Sequence, residues 1–551
     1  MSEKQRQIEE SVGAVQDKEL GRSVPEEAAA LPDNGKESGD EDLNLNPHRW
    51  IILIAMMLGA FFQVLDSSSV VPALPKMMGN LGAAPDEIDW VGTGYILSTV
   101  IVLPMTAWLS RHFGRKNYLL ASIGIFTCAS MMCGLSDTLA TVVFWRIVQG
   151  AGGAALVSIG QSTVIEVFPK KQVVLVQALF SLGIMVAPTV GPAFGGWMVD
   201  NYSWNWIFLT KFPVGILTAY LVWKYLHDSP HKNASTAIDW AGIGFLAVGL
   251  GSLQYVLEEG QRYDWFDDAW ITRITLIAVA GLVVFVIWQL WPSNTAPIVD
   301  LRVLRDRGLA VGVVLNVLLG FALYSAAYLF PMFVQGILGF TPTESGLVMM
   351  PGGIMTGISL LLSGRLIQKG VDPRHLILIG IPIVVASMWL MGHLSSQSGA
   401  DDAQFGLLVR GFGLGFVTTP ITIAAFAGLR GRQVASGAAL LNLCRQLGGS
   451  FGIAVLNSYV NDMATFHRTT LVSYISRTDQ TFTTRLAGMS AALASKGLGH
   501  VGGQIAALGI VKNIVEGQAL TMAYDDAYLL VGIVFLAIWP AVFLFKKRDL
   551  S

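Results

Sequence analysis

Among the charged residues that stand inside long apolar stretches of the 551-residue chain are Asp66, Arg146 and Lys211. A carboxylate in such a place must pair with a cation, face water or take up a proton, so Asp66 is a candidate for proton exchange across a membrane. Arginine keeps its proton at ordinary pH, and Arg146 can therefore tune a nearby carboxylate without carrying the proton itself. Asp66 and Arg146 predict a proton-coupling pair; the alternative is that each only bonds a neighbouring helix.

The apolar stretches also carry aromatic and polar side chains that are typical of a ligand cavity. Flat apolar walls with a few polar groups suit varied amphipathic ligands. Structural alternatives stay open: Lys211 at the outer headgroups, Arg445 as a cap on a neighbouring helix, and the aromatic residues in packing or lipid contact. The candidate cavity residues are Phe62, Gln63, Tyr95, Gln149, Lys211, Tyr324, Tyr328, Asn442 and Arg445.

Small residues recur every four positions in one stretch that also contains two prolines. Residues at this spacing share one face of a helix and let a neighbouring helix approach closely. Proline removes a backbone hydrogen bond and favours a bend. We expect this stripe to let two helical halves close tightly on one side and so prevent a leak. The residues of the stretch are Gly183, Ala187, Pro188, Gly191, Pro192, Gly195 and Gly196.

Composition places these residues in a polytopic membrane protein. Hydrophobic residues make up 53% of the chain, charged residues only 13%, and the mean hydropathy is +0.56, whereas soluble proteins contain about 25% charged residues. This excludes a disordered chain, a disulfide scaffold and a set of ordinary soluble domains. The three cysteines show no CxxC spacing, so no metal site is predicted. Residues 1–46 hold twelve acidic and five basic residues and are predicted to form a disordered cytoplasmic tail, with no cleavable signal peptide.

Fourteen stretches are long and apolar enough to span a bilayer, since a spanning helix needs about 20 such residues. An N-terminus in the cytoplasm puts most loop arginines and lysines on the inner side, which is the usual bias, so both termini are predicted to be cytoplasmic. The predicted spans are 50–71, 89–109, 118–135, 139–163, 173–199, 204–226, 238–257, 271–291, 309–335, 343–366, 374–394, 404–428, 433–460 and 526–545.

Charged residues outside the predicted spans mark three further segments. Residues 461–525 mix charged and apolar residues and are expected to form short helices outside the membrane. Acidic residues between spans 7 and 8, Glu258 among them, are interpreted as a solvated outer face. On the inner side, Glu166 is expected to pair with Lys170 or Lys171.

Four motifs occur at consistent places along the chain. Loop 2–3 reads Ala107-Trp-Leu-Ser-Arg111-His-Phe-Gly114-Arg115-Lys116, span 4 contains Arg146-Ile-Val-Gln149-Gly150, span 5 contains the small-residue stripe, and span 1 contains Leu65-Asp66-Ser67-Ser68-Ser69. Together they resemble the major facilitator superfamily, and within it the fourteen-helix drug:proton antiporters. The resemblance covers residues 48–548 and implies that Gly114 and Arg115 belong to a gating loop.

The resemblance implies the major facilitator fold, an all-α polytopic membrane protein with fourteen transmembrane helices in a 6+2+6 arrangement. Residues 47–230 and 301–551 would form two six-helix bundles, and residues 231–300 an inserted helix pair. Rocking of the bundles would open a central cavity to each side in turn. The chain departs from the family pattern at Arg111, where an acidic residue is usual, and at Lys211, where asparagine is usual.

A closer similarity, carried by Asn442–Gly452 and by Phe466-His-Arg468, is to the EmrB-type multidrug exporters of Gram-negative inner membranes. It implies export of amphipathic drugs or toxic compounds, driven by the proton gradient with no bound cofactor, together with a periplasmic EmrA-type adaptor and an outer-membrane channel. The alternatives are a transporter of a specific endogenous metabolite, such as a siderophore or fatty acid, and a non-transporting receptor or scaffold. The sequence has no phosphate-binding loop, hydrolase motif or basic aromatic arm, so neither an enzyme nor a nucleic-acid partner is expected.

Overall fold

The computed structural model describes residues 47–227, 238–292, 294, 297–429, 432–475 and 479–544, and it contains helices but no strand in this part of the chain. The predicted acidic tail, 1–46, lies outside the described residues. In chain order the principal helices are α1 (Arg49–Leu81), α2 (Trp90–Phe113), α3 (Arg115–Gly134), α4 (Leu139–Val167), α5 (Lys170–Asn201), α6 (Asn205–Tyr225), α7 (Trp240–Tyr263), α8 (Ala269–Leu290), α9 (Arg307–Gly336), α10 (Pro342–Gln368), α11 (Pro373–Met391), α12 (Ala400–Phe426), α13 (Arg432–Ser473), α14 (Gln480–Leu493) and α15 (Gly499–Ala541).

The length and apolarity of the helices agree with the predicted number of spans. Thirteen helical segments of the described chain are long and apolar enough to cross a membrane, and the count is fourteen when the bent helix α5 is taken as one span. The axis of α5 bends by 42° between Gln172–Pro188 and Val190–Asn201. Pro188 and Pro192 lie inside this helix and remove two of its backbone hydrogen bonds. The prediction of an all-α polytopic membrane protein is confirmed.

The helices pack in two groups. Helices α1–α6 form the first group, in which α1 contacts α4, α5 and α6. Helices α9–α13 and α15 form the second group, in which α9 packs against α13 and α15. The two groups meet most extensively along α5 and α10, and also where α13 contacts α2 and α4. We name the face on which α1 begins, at Arg49, the amino side, and the face on which it ends, at Leu81, the far side.

Helices α7 and α8 form a pair that contacts both groups, since α7 packs against α2 and α13. Asp239 precedes α7 and holds the pair together. Its carboxylate accepts hydrogen bonds from Gly242 N at 2.8 Å on α7, and from Trp288 Nε1 at 2.8 Å and Gln289 Nε2 at 3.0 Å on α8. These hydrogen bonds fix α7 and α8 to each other, and α7 is the helix of the pair that contacts both groups.

The small-residue stripe of α5 faces α1, inside the first group. A methyl group on Gly191 or Gly195 would overlap Ser68 or Ser69 of α1. The Ser68 hydroxyl also donates a hydrogen bond to the Ala187 carbonyl, at 3.4 Å. This corrects the prediction that the whole stripe closes the two halves on each other.

The contact between the two groups uses a different row of α5. A methyl group on Gly346 of α10 would lie 2.5 Å from Ala193 N, and one on Gly196 would lie 2.8 Å from Thr343 Oγ1. Of the four glycines in the predicted stripe, Gly196 is thus the one whose added methyl group would meet α10. The physical reason is that a four-residue spacing drifts around a helix of 3.6 residues per turn, so the spacing alone does not select the neighbour.

Helices α13 and α15 are too long to end at the membrane surface. They contain 42 and 43 residues, which corresponds to about 63 and 65 Å at 1.5 Å per residue. The apolar core of a bilayer is only about 30 Å thick, so both helices continue beyond it on the far side. His467 Nε2 of α13 lies 2.7 Å from Asp526 Oδ2 of α15 and joins the two helices there.

We name the part of residues 461–525 that continues α13 and α15 beyond the membrane core, together with α14, the far-side extension. It changes the prediction for this segment. Short helices were expected throughout the segment, but most of it consists of continuations of α13 and α15. Among the described residues of the segment, 461–475 and 479–525, α14 is the separate short α-helix, and it packs against α15. A continuous helix satisfies its own backbone hydrogen bonds, so extending the spans leaves fewer unpaired groups than a set of new short helices.

Candidate functional site

Three helices of the first group meet at one buried carboxylate. Asp66 of α1 accepts hydrogen bonds from Arg146 Nη1 of α4 and from Lys211 Nζ of α6. Gln149 Nε2 of α4 donates a third hydrogen bond to Asp66 Oδ1, at 3.0 Å. The relative exposures of Asp66, Arg146 and Lys211 are 0, 1 and 2%. A buried charge must be paired and hydrogen-bonded to be tolerated, and this arrangement meets both conditions for the carboxylate.

Aromatic rings and a backbone carbonyl surround the two cations of this charge cluster, which consists of Asp66, Arg146 and Lys211. The Arg146 guanidinium lies over the Tyr95 ring at 4.3 Å, and its Nε atom donates to the Val91 carbonyl at 2.8 Å. Lys211 Nζ lies 5.1 Å from the centre of the Phe208 ring. Two protonated cations on one carboxylate leave an excess positive charge, and the negative faces of the rings help to offset it.

A cavity of about 400 Å³ lies between the two helix groups. Most of its lining residues come from the parts of α1, α2 and α9 nearer the far side. Of the predicted cavity residues, Gln63, Tyr95, Tyr324, Tyr328, Asn442 and Arg445 line it, and so do Pro188 and Pro192 of α5. The described lining residues include two charged ones, Arg445 and Glu258. The walls are therefore mainly apolar and aromatic, with two charges of opposite sign.

Tyr95 separates the cavity from the charge cluster. It lines the cavity and also stacks on the Arg146 guanidinium. Its hydroxyl donates to the Gln63 carbonyl at 3.2 Å and lies 3.3 Å from Gln63 Nε2, which donates to it. A ligand that moves the Tyr95 ring or the Gln63 amide consequently changes the surroundings of Arg146.

Three predicted cavity residues lie elsewhere. Gln149 and Lys211 point to Asp66, and neither is among the residues that line the cavity. Phe62 is also absent from the lining and packs edge-on against Phe61, with ring centres 5.4 Å apart. The correction has a simple cause: on a helix that is apolar all round, the sequence does not tell which face is turned to a cavity.

On the amino side of the cavity, helices α4 and α13 contact each other, and we name this contact the seal. Asn442 Nδ2 donates to Gln161 Oε1 at 2.9 Å, and both residues are buried. Arg445 Nη2 donates to Asn442 Oδ1 at 2.5 Å. One polar chain thus runs from the cavity surface at Arg445 to the seal between the two groups.

The predicted gating loop is a single glycine between two helices. Gly114 has φ +87°, a backbone conformation that side chains disfavour, and it connects α2 to α3. Arg115 then begins α3 and forms an ion pair with Glu166 near the end of α4. The structure thus gives Glu166 an arginine partner, where Lys170 or Lys171 was expected.

Two residues of this site were missed by the sequence reasoning. Glu258 lines the cavity, although it was interpreted as part of a solvated loop, because α7 continues past the end of its predicted span. Gln161 was not singled out, since a lone glutamine in an apolar stretch carries no pattern. The one available signal was its spacing from Gln149: twelve residues are about three helical turns, so both glutamines fall within the same predicted span, 139–163.

The charge cluster predicts an unequal response to neutralising substitutions. The D66N variant leaves Arg146 and Lys211 as two cations without a buried counter-ion, which costs about 3–5 kcal/mol. The double variant D66N/K211N removes one of these cations and should recover part of the loss. Thermal unfolding of the purified proteins in the same detergent measures both effects as shifts in Tm.

A matched control is D267N, which removes an exposed carboxylate outside the cavity and the cluster. It should unfold at the wild-type temperature. Equal Tm values for D66N and D66N/K211N would contradict the view that Asp66 neutralises Lys211.

Comparison with known proteins agrees with this architecture. The model of the Major Facilitator Superfamily matches residues 56–453. Two solved structures share the fold at 14% identity: the human organic anion transporter MFSD10, with a TM-score of 0.55 over 89% of this chain and 100% of that one, and a bacterial homologue of the lysosomal transporter Spinster, with a TM-score of 0.51 over 91% and 98%.

Curated relatives extend over nearly the whole chain. The multidrug export protein EmrB of Escherichia coli K12 is 30% identical over 499 residues, which is 90% of this chain and 95% of the relative. The fatty acid resistance protein FarB of Neisseria gonorrhoeae is 29% identical over 90% of this chain and 96% of the relative. The colistin resistance protein EmrB of Acinetobacter baumannii is 28% identical over 91% and 97%.

These matches confirm the predicted similarity to EmrB-type exporters, and with the apolar helices they indicate a multi-pass protein of the bacterial inner membrane. The family model covers more than half of the chain, from 56 to 453, and includes the charge cluster and most of the cavity. The chain belongs to the major facilitator superfamily of membrane transporters.

Proposed function

We propose that the chain exports amphipathic drugs or toxic compounds across the inner membrane in exchange for protons, by alternating access. The observation that carries the proposal is the position of the charge cluster behind Tyr95, which is one wall of the cavity. The amino side is the cytoplasmic one, because the basic loops lie there. The proton then binds at Asp66 and the drug binds in the cavity, with Tyr95 between the two sites.

The proposed coupling follows from what a proton does to Asp66. Protonation removes the charge that attracts Arg146 and Lys211, so α1, α4 and α6 lose the group that joins them. Arg146 repels Lys211 in that state, and α4 shifts with it. Because α4 also carries Gln161, the same movement weakens the seal with Asn442 and opens the cavity to the amino side. Drug binding in the cavity favours release of the proton.

The walls of the cavity support amphipathic substrates. Tyr324 and Tyr328 lie one helical turn apart on α9 and both line the cavity, as do prolines of α1 and α5. Such flat surfaces bind varied apolar groups without requiring one shape. Two of the relatives are named for multidrug export and for colistin resistance, which favours drugs as the cargo.

The proposal predicts drug-dependent proton movement in purified form. Wild-type protein in liposomes that hold a pH-sensitive dye should move protons when a lipophilic drug is added under a drug gradient. The D66N and D66N/K211N variants should lose this movement, since neither can take up a proton at position 66. If D66N alone folds poorly, the double variant provides the protein without a protonatable group at position 66.

The matched control is D462N, which removes an exposed carboxylate of α13. It should move protons as the wild type does. Drug-triggered proton flux that persists undiminished in D66N/K211N would exclude Asp66 from the coupling step.

A second candidate cargo is a fatty acid or another amphipathic anion. Arg445 lines the cavity and offers a guanidinium to a carboxylate, and one relative is named for fatty acid resistance. The liposome assay separates the two cargoes when an unsaturated fatty acid replaces the drug. Proton movement with the fatty acid and with no drug favours the anion.

We further propose that the far-side extension binds a periplasmic adaptor that leads to an outer-membrane channel. The first half of α15 exposes apolar side chains beyond the membrane-spanning part, among them Val501 and Ile505, with relative exposures of 70 and 68%. Exposed apolar surface of this kind is typical of a protein interface.

The adaptor proposal predicts a separation between transport and resistance. The variant V501S/I505S should keep drug-dependent proton flux in liposomes, where no adaptor is present, but lose most of the drug resistance of whole cells. The control variant H500S/Q504S changes neighbouring exposed polar positions and should keep both. Full resistance of cells that carry V501S/I505S would contradict the proposal.

A further inference from the structure

The cavity contains a carboxylate from outside the two helix groups. Glu258 stands in the last turns of α7, the first helix of the inserted pair, and lines the cavity with Tyr324 and Tyr328 of α9. Its side chain is exposed rather than packed. The inserted pair therefore supplies a charged group to the substrate path, in addition to packing against the bundle.

A hydrogen-bond bridge holds this carboxylate in place. Gln254, one turn earlier on α7 and fully buried, donates through Nε2 to Glu258 Oε1 at 2.8 Å and to Ser450 Oγ of α13 at 3.0 Å. Gln254 Oε1 is buried and lacks a hydrogen-bond partner among the described residues. Two hydrogen-bond acceptors, the Glu258 carboxylate and the Gln254 amide oxygen, thus lie at the junction of α7 and α13.

No cation neutralises Glu258 within the described part of the chain. The next residue, Glu259, is buried and forms an ion pair with Arg262 at 3.4 Å, so that arginine serves the neighbouring carboxylate. Arg445, the other charged lining residue, stands five positions before Ser450 on α13, and Glu258 stands four positions after Gln254 on α7. The backbone positions of Glu258 and Arg445 are therefore separated in depth by about 14 Å, at 1.5 Å per residue along each helix.

We propose that Glu258 is the group that binds the cationic end of lipophilic cations, a substrate class within the proposed drug-export function on which this inference rests. A carboxylate beside aromatic rings is the combination that recognises organic cations, by charge and by contact with the ring faces. The apolar body of the ligand lies along the Tyr324 and Tyr328 walls. The backbone of Arg445 stands nearer the amino side on α13, so the proposal places the cationic end of the ligand away from it.

Two probes of matched size and opposite charge test the assignment: tetraphenylphosphonium and tetraphenylborate. Equilibrium dialysis with the purified full-length protein in detergent measures the Kd of each. In E258Q, the affinity for tetraphenylphosphonium should fall about fivefold, which corresponds to one partly solvated charge pair. The affinity for tetraphenylborate should stay the same or rise, and its binding also reports that the variant is folded.

Two further variants sharpen the result. E258D keeps the charge and should retain most of the affinity for the cation, whereas D267N removes an exposed carboxylate of the α7–α8 loop and should match the wild type for both probes. The charge effect in the wild type should shrink as salt is raised from low to high concentration.

The assignment is overturned by an unchanged cation affinity in E258Q, by equal losses for both probes, or by a wild type that does not bind tetraphenylphosphonium. Failure of the export proposal gives a different pattern. In that case the wild type binds tetraphenylphosphonium with the E258Q effect but does not move it across vesicle membranes, and the binding role of Glu258 stands.

Discussion

One buried carboxylate shared by two cations is the constraint on which the first helix group depends. Asp66 joins α1, α4 and α6 through Arg146 and Lys211, in a place that water does not reach. Charges are costly to bury, and breaking a buried pair costs more than a pair on the surface contributes. The three helices are consequently held in one arrangement while Asp66 is ionised, and the loss of that single charge changes the balance for all of them.

The position of this constraint links it to the cavity. Tyr95 contacts the Arg146 guanidinium on one side and the cavity on the other, and α4 continues from Arg146 to the seal at Gln161. The inserted pair adds a charge to the lining, because Gln254 and Glu258 place a carboxylate where α7 meets α13. The cavity is thus a mainly apolar space whose few polar groups belong to both helix groups and to the inserted pair.

Much of the fold could be predicted from the sequence, since long apolar stretches and the bias of basic loops are strong signals. The importance of Asp66 and Arg146 followed from the cost of charges in such stretches. The partner of Lys211 could not be predicted, because it lies 145 positions away and no periodicity relates the two. The neighbours that Phe62, Gln149 and the α5 stripe face could not be predicted either. On a helix that is apolar all round, the sequence does not show which face is turned to a cavity and which to another helix. Glu258 was missed because an acidic residue near a loop is usually solvated, and only the packing of α7 against α13 shows where it lies.

The central claim is that a drug in the cavity and a proton on Asp66 exclude each other. Calorimetric titration of a lipophilic drug into the purified protein, in buffers of different ionisation enthalpy and at a pH low enough for Asp66 to hold its proton in the drug-free protein, tests it most directly. The account predicts that the measured heat changes with the buffer for the wild type, because drug binding releases a proton, and does not change for D66N/K211N. The same heat in every buffer for the wild type would contradict the account.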